Sequence, residues 1–267
     1  MSAASDLDLI FVYDAPAGVE FSDGERKLPL IVYYARFAQR LIAALTVPTP
    51  AGELYEVDMR LRPSGNKGPA AVSLESFSRY HERESWTWER MALTRARVVS
   101  GAAELSSKVD AVIARTLADR RTQAMIKTDA RAMRDKLASQ FPGRNPWDLK
   151  FAPGGMVDIE FVAQAMQLGN AGLRHANTIA AIEALAAANL LGKSDAEILA
   201  EAATLEQALS QVLRIATEGA FQPDTATPGL RALLARAGGS ESFEHLERRL
   251  SQLQAQVRAV FEKSMRP

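Results

Sequence analysis

A chain of 267 residues in which 32 lysines and arginines cancel 32 aspartates and glutamates carries no global field that would draw it to nucleic acid or to an anionic membrane surface. Its apolar content of 47% is that of an ordinary globular protein large enough to bury one or two cores, and the absence of cysteine excludes disulfides and thiolate metal sites. The first five residues lack the basic start and apolar core of a signal peptide and no apolar run is as long as a bilayer is thick, so the expectation is a cytoplasmic protein partnered by neither membrane nor nucleic acid.

The first element is Ser5-Asp6-Leu7-Asp8-Leu9-Ile10-Phe11-Val12-Tyr13, an apolar, strand-like run opened by two aspartates. Alternation puts Asp6 and Asp8 on one face and Leu7 and Leu9 on the other. At ~3.3 Å of rise per residue the two carboxylates stand roughly 6–7 Å apart, close enough to repel. A bound divalent cation would remove that repulsion, and so would a solvated strand end. Residues 15–29, with Gly18 and the turn-like Ser22-Asp23-Gly24-Glu25, form a loop at the rim of this strand. Over residues 30–46, Val32, Phe37, Leu41, Ile42 and Leu45 recur at helical spacing until Pro48-Thr49-Pro50 stops the pattern, so a helix crosses between two strands.

The second strand-like stretch, residues 54–63, points Val57, Met59 and Leu61 inward and sets Glu56, Asp58, Arg60 and Arg62 on the opposite face. Beside Asp6 and Asp8, that face adds a third carboxylate and two guanidiniums. This donor set suits a magnesium-bound polyphosphate, with carboxylate oxygens for the metal and arginine forks for the phosphate oxygens. A surface ladder of cross-strand ion pairs has the same pattern. The turn-rich loop 63–68 follows, where Lys67 is either a phosphate contact or a plain loop residue.

Ser73 caps a helix to residue 85, and a second helix over residues 86–97 buries two tryptophans and carries Glu89, Arg95 and Arg97. Gly101-Ala102-Ala103 marks a domain boundary, beyond which nothing alternates as a strand does. Residues 105–141 form a long helix whose basic residues, Arg120, Arg131 and Arg134 among them, make a solvated face. Pro153-Gly154-Gly155 opens a helix over residues 157–168. Its glycine amides either face a phosphate or make a tight turn for packing, with Asp158 complementing the helix dipole. A helix over residues 178–191 follows. Two apolar series, Ile198, Ala202, Leu205, Leu209, Val212, Ala216 and Phe243, Leu246, Leu250, Leu253, Val257, Val260, are the core seams of a helical bundle. His81, His175 and His245 lie far apart without ligand spacing and are assigned to the surface.

Ser-Asp-x-Asp on one strand, with a third aspartate on a later strand, resembles the nucleotidyltransferase superfamily of DNA polymerase beta. Longer words narrow the resemblance: Tyr55-Glu56-Val57-Asp58-Met59-Arg60-Leu61-Arg62-Pro63-Ser64-Gly65-Asn66-Lys67-Gly68, then Trp86-Thr87-Trp88-Glu89 with Ala92-Leu93-Thr94-Arg95-Ala96-Arg97, Trp147-Asp148-Leu149-Lys150, and Gly154-Gly155-Met156-Val157-Asp158-Ile159-Glu160-Phe161. Together they are similar to the bacterial glutamine synthetase adenylyltransferase/deadenylylase family, and to its C-terminal, AMP-attaching half.

The resemblance implies an α+β protein, with a nucleotidyltransferase-like mixed sheet and flanking helices over residues 1–101 and an all-α helical bundle over residues 102–267. It implies transfer of AMP from ATP to a tyrosine hydroxyl of glutamine synthetase, an activity that regulates nitrogen assimilation. Asp6, Asp8 and Asp58 would hold two magnesium ions, manganese being an alternative, with Asp58 as the base. Ser5, Arg60, Arg62 and Lys67 would contact the nucleotide. Glu89, Arg95, Arg97, Asp158 and Glu160 would stand behind them, the last two lining a cleft between domains. The implied partners are glutamine synthetase and a PII-type signal protein. Family members carry a strand and a Gly-Gly loop just before the Ser-Asp-x-Asp word, where this sequence has Met1-Ser2-Ala3-Ala4. A piece of a longer two-catalytic-domain enzyme, or a gene model begun at an internal methionine, is therefore expected. Two rival readings follow from the same resemblance: a catalytically dead fragment that serves as a protein-binding module, and the phosphorolytic removal of AMP.

Overall fold

Short strands and long helices segregate in the computed structural model, which describes residues 6–50, 52, 55–118, 121–143, 145–217 and 219–266. Ser5, Leu54 and Arg120 lie outside the described residues. One compact unit holds the chain up to Arg90 together with Arg97–Thr116; the other holds Met91–Ala96 and the chain from Leu117 onward. Gly101 thus lies inside the first unit. The helix that follows it is tied there: Lys108 Nζ donates to Asp14 Oδ2 at 2.9 Å, and Arg115 Nη2 to Ser78 Oγ at 3.4 Å.

The protein is α+β. In the first unit β1 (Leu7–Asp8) pairs parallel with β3 (Val57–Asp58), and β2 (Phe11–Tyr13) pairs parallel with β4 (Ala71–Ser73). Parallel neighbours need a crossover connection, and α1 (Leu30–Thr46) lies in the chain that links β1 to β3 and β2 to β4. The loop before α1 folds on itself: Ser22 N–H donates to Leu28 O at 2.9 Å and Leu30 N–H to Glu20 O at 3.0 Å. The helix occupies the expected residues, but its apolar side chains are not the expected core. Only Ala38 is buried, whereas Val32, Phe37 and Leu41 are exposed, because strands of two or three residues offer too little surface to cover a helix of five turns.

Helix α2 (Leu74–Arg83) starts where Ser73 Oγ accepts the Ser76 amide at 3.1 Å, as the capping pattern predicts. Helix α3 (Thr87–Leu93) is shorter than expected and ends as buried Thr94 donates its hydroxyl back to Met91 O at 2.7 Å. Trp86 is 70% exposed, not buried. His81 corrects a second expectation. It is 1% exposed, packed edge-on against Phe77 and Tyr80, with both ring nitrogens lacking a hydrogen-bond partner among the described residues. Burial, with the Arg90 charge, pulls its pKa down to about 4, so it is a neutral core side chain.

The single helix expected over residues 105–141 is two, α4 (Ala103–Leu117) and α5 (Gln123–Gln140), the latter restarted by Thr122, whose Oγ1 accepts the Met125 amide. The second unit then adds α6 (Met156–Gln167), α7 (Thr178–Ala187), α8 (Lys193–Ala216), α9 (Pro228–Ala237) and α10 (Phe243–Ser264). All six apolar positions expected to form a seam on α10 are buried. On α8 the buried seam is Leu199, Ala202, Leu205, Leu209 and Leu213, so Ile198, Val212 and Ala216 drop out of it. Arg134, expected in solvent, is 2% exposed: its guanidinium pairs with the Asp158 carboxylate and donates to Phe151 O at 3.1 Å. A helix buried on this face has room for a cation only if the charge is paired, and Arg134 meets that condition through Asp158 on α6 and the carbonyls of the turn before it.

The same network decides between the two readings of the glycine turn. Gly154 N–H donates to Asp158 Oδ2 at 2.7 Å, and the amides of Gly155 and Met156 go to Ala152 O and Leu149 O, both at 2.8 Å. No amide of this turn is left to face an anion. Gly154 sits at φ +82°, and a Cβ there would lie 1.8 Å from Gln254 O. Gly154→Ala should therefore lower stability by roughly 3 kcal/mol or more, read as a fall in the urea midpoint by far-UV circular dichroism.

Glu206 on α8 is 1% exposed; its Oε1 accepts from Gln254 Nε2 at 3.1 Å and its Oε2 has no partner among the described residues. Burial pushes its pKa up to about 8 from 4.5. The unfolded chain releases this proton near pH 4.5 and the folded chain near pH 8, so the neutral form's contribution to stability is complete below pH 4.5 and is lost as pH rises to 8. Glu206→Gln should flatten the decline in melting temperature across that window and raise it at pH 8.

Candidate functional site

The centre of the first unit is the pairing of β1 with β3, in which Asp8 stands directly opposite Asp58. Backbone bonds bracket the pair: Leu7 N–H donates to Glu56 O at 2.8 Å and Leu9 N–H to Asp58 O at 2.9 Å. Asp6, two residues before Asp8, is exposed like it, while the Asp58 side chain is only 14% exposed. Strand geometry ends at Asp58, so Arg60 does not continue the alternation expected through Arg62. The Asp58 carboxylate captures the turn that follows: Arg60 N–H donates to Oδ1 at 2.8 Å and Arg60 Nε to Oδ2 at 2.7 Å, an aspartate folding its own downstream backbone into a turn.

These hydrogen bonds, with the arginine charge, hold the Asp58 carboxyl below the usual carboxylate range. In return Asp58 raises the pKa of Arg60, and Asp8 and Asp6 add to that rise through their charge. All three carboxylates therefore bear on one guanidinium. Among the described residues no three acidic or histidine side chains stand together as a ready-made cation site, since Asp58 is turned onto Arg60. The donor chemistry nevertheless suits magnesium or manganese: hard carboxylate oxygens, two of them side by side on neighbouring strands.

Arg62 does something else. Its Nη1 donates to Met59 O at 2.7 Å, and its Nε and Nη2 to Gly68 O at 3.4 and 3.3 Å, which fastens both ends of the loop 63–68. That loop is tight: Ser64 adopts φ 63°, and a Cβ on Gly68 would fall 2.2 Å from Pro63 O. Lys67 ends its short 3-10 turn and is exposed. Tyr80 braces the region from α2. Its hydroxyl donates to Glu89 Oε1 at 2.7 Å and bonds the Ser64 backbone; burial and then Glu89 push its pKa up to about 12. Glu89 Oε2 accepts the Trp86 amide at 2.8 Å, so this buried glutamate opens α3 and orients Tyr80. Arg97 is exposed in the first unit.

Residues 1–112 match the family model described as Glutamate-ammonia ligase adenylyltransferase, and residues 116–265 match that described as GlnD PII-uridylyltransferase. Bifunctional glutamine synthetase adenylyltransferase/adenylyl-removing enzymes of Rhodopseudomonas palustris, Bradyrhizobium diazoefficiens and Xanthobacter autotrophicus are each 46% identical to it across 98% of this chain. The chain belongs to the glutamine synthetase adenylyltransferase family. It spans 27% of the length of those relatives. The junction of the two family models falls where the two compact units of this adenylyltransferase-family chain divide.

Of the twelve residues singled out by the adenylyltransferase resemblance, Asp8 and Asp58 stand opposite each other in the first unit, Asp58 holds Arg60, and Asp6 lies just ahead of the strand. Ser5 is outside the described residues. Arg95 and Glu160 meet in the second unit, Arg95 Nη1 donating to Glu160 Oε1 at 2.7 Å. Asp158 is buried there, its oxygens used by Arg134, Arg258 and the Gly154 amide. Sequence reasoning missed Tyr80 and Arg134. Tyr80 lies nine residues before Glu89 with no periodic relation to it, and Arg134 is one basic residue among several on α5. No helix among the described residues is long and apolar enough to cross a membrane.

The two arginines should respond differently to removal. Arg62→Ala leaves two backbone carbonyls without their donor and should cost ~1–3 kcal/mol in a urea titration. Arg60→Ala, which removes a head group exposed by 75% of its side chain, should leave the urea midpoint near that of wild type.

Proposed function

We propose that this chain carries a nucleotidyl-transfer site that moves AMP from ATP to a tyrosine hydroxyl of glutamine synthetase in the cytoplasm. The observation that carries the reading is Asp8 facing Asp58 in register on adjacent parallel strands, with Asp6 just ahead of the strand and Arg60 in contact with Asp58. Asp6, Asp8 and Asp58 would hold magnesium, which would neutralise the triphosphate and stabilise the pyrophosphate leaving group. The tyrosine oxygen attacks the α-phosphorus, the bond to the pyrophosphate oxygen breaks, and Asp58 accepts the hydroxyl proton. That last role requires Asp58 to be free of Arg60, whose hydrogen bonds keep it a weak base. Arg60, and with it Ser5 and Lys67, offsets phosphate charge. Arg62 serves the nucleotide through the loop it fastens. Glu89 supports that loop through Tyr80, and Arg97 lies beyond α3 in the same unit. In the second unit Asp158 is structural and the Arg95–Glu160 pair is a surface contact for glutamine synthetase or a PII-type protein.

Removal of AMP by phosphate is the second reading, since the relatives are named for both directions. Unmodified glutamine synthetase, α-labelled ATP and magnesium should give labelled protein and pyrophosphate, with the label on a tyrosine by peptide mass spectrometry. Asp58→Asn should lower that rate by ~10²–10⁴-fold. Release of ADP from AMP-modified glutamine synthetase and phosphate, without pyrophosphate formation in the forward assay, would reverse the assignment. Binding to glutamine synthetase without either product would make the chain a docking module.

A further inference from the structure

We infer that Arg60 is a built-in counter-cation on Asp58 that a polyphosphate draws away, so that Asp6, Asp8 and Asp58 take a divalent cation well only when nucleotide is present. The inference rests on the reading of those three aspartates as the metal-binding set. Three observations carry it.

The first is occupancy. Arg60 engages both Asp58 oxygens at once, through its backbone amide on Oδ1 and its Nε on Oδ2, with a further Nη2 contact to Oδ2. A divalent cation approaching Asp58 meets a fixed positive charge in hydrogen-bond contact with the oxygen it needs. Like charges at that separation repel, and the guanidinium must leave for the ion to enter.

The second is freedom to leave. Arg62, two residues on, is bound to the carbonyls of Met59 and Gly68 and cannot move without opening the loop. Arg60 is held only by Asp58 among its hydrogen-bond and ion-pair contacts in the described residues, and 75% of its side chain is exposed. Exposed ion pairs contribute little to stability, so the swing is inexpensive.

The third is a better partner. A guanidinium binds phosphate oxygens with the same two-pronged geometry it uses on carboxylate, and a triphosphate offers more charge than one aspartate. With the Arg60 guanidinium on phosphate, Asp58 regains Oδ2, while Oδ1 keeps the Arg60 amide. Nucleotide and metal then promote each other's binding, a reciprocity that linkage requires. Arg60 is in this sense a positioning residue: it acts by taking and releasing Asp58.

The test measures manganese binding to this chain by electron paramagnetic resonance, with and without the non-hydrolysable analogue α,β-methylene-ATP. Wild type should bind weakly alone and more tightly with the analogue. Arg60→Ala should bind manganese alone roughly three- to tenfold more tightly than wild type and gain much less from the analogue. Arg60→Lys, with the charge but without the fork, should fall between them. Arg60→Gln repeats the measurement with a side chain of similar length, and melting curves confirm that each variant folds. Asp58→Asn bearing on manganese as wild type does would overturn the metal site itself. Loss of binding in Asp58→Asn together with unchanged or weaker binding in Arg60→Ala and Arg60→Gln would leave the metal site standing and overturn the role of Arg60.

Discussion

Two aspartates stand directly opposite each other on neighbouring strands, whose backbones run roughly 4.8 Å apart, and the first unit is arranged around the repulsion of their charges. Register cannot slip to relieve it, because a one-residue shift would turn Leu7 and Val57 outward and the aspartates in. The repulsion is met by Arg60, and Arg60 can be there because the chain leaves the strand at Asp58 and turns back on that carboxylate. The turn in turn needs the loop 63–68 to be closed, which Arg62 and the left-handed Ser64 accomplish, and the loop is braced by Tyr80 and Glu89. One electrostatic problem thus explains why residues from β1, β3, α2 and α3 are placed as they are.

The second unit contains a parallel case in its interior. Asp158 is fully buried, and its charge is answered by Arg134, also buried, with Arg258 at 3.4 Å; Glu262 receives both Arg258 and, at 2.8 Å, Arg131. Such a network is weak grounds for added stability, since desolvating the charges offsets most of their attraction. Removing one member would still leave an unpaired buried charge at a cost of ~3–5 kcal/mol. What the network supplies is geometry: α5, α6, α10 and the Gly154-Gly155 turn are held to one arrangement because only that arrangement satisfies Arg134 and Asp158 together. Neighbouring Glu206 lacks such a partner, which is why its proton stays on to about pH 8.

Family membership and geometry bear on different parts of the functional reading. The kinship of the chain to bifunctional enzymes named for attaching and removing AMP motivates the proposed reaction class, and the strand pair is the place the proposal gives it. The match of residues 116–265 to a PII-uridylyltransferase model points to a helical unit used by more than one nucleotidyl-transferring family. The amides of its glycine turn are taken by Asp158, Ala152 and Leu149, so that turn braces the helices of its own unit.

The sequence by itself determined the α+β class, the placement of Asp8 on a strand with Asp58 on another, the span of α1 and the buried seam of α10. Each of these is written in a local period of two or of three and four, and local periods survive whatever the rest of the chain does. Only the tertiary structure decided where those periods stop and what each charge meets. Strand β3 ended at Asp58 because a side chain reached its own downstream amide; Arg134 went inside because Phe151 and Asp158, distant in sequence, took its donors; and the face of α1 stayed exposed because the strands beneath it are short. Charge and amide partners of that kind are settled by three-dimensional proximity, which no spacing along the chain encodes.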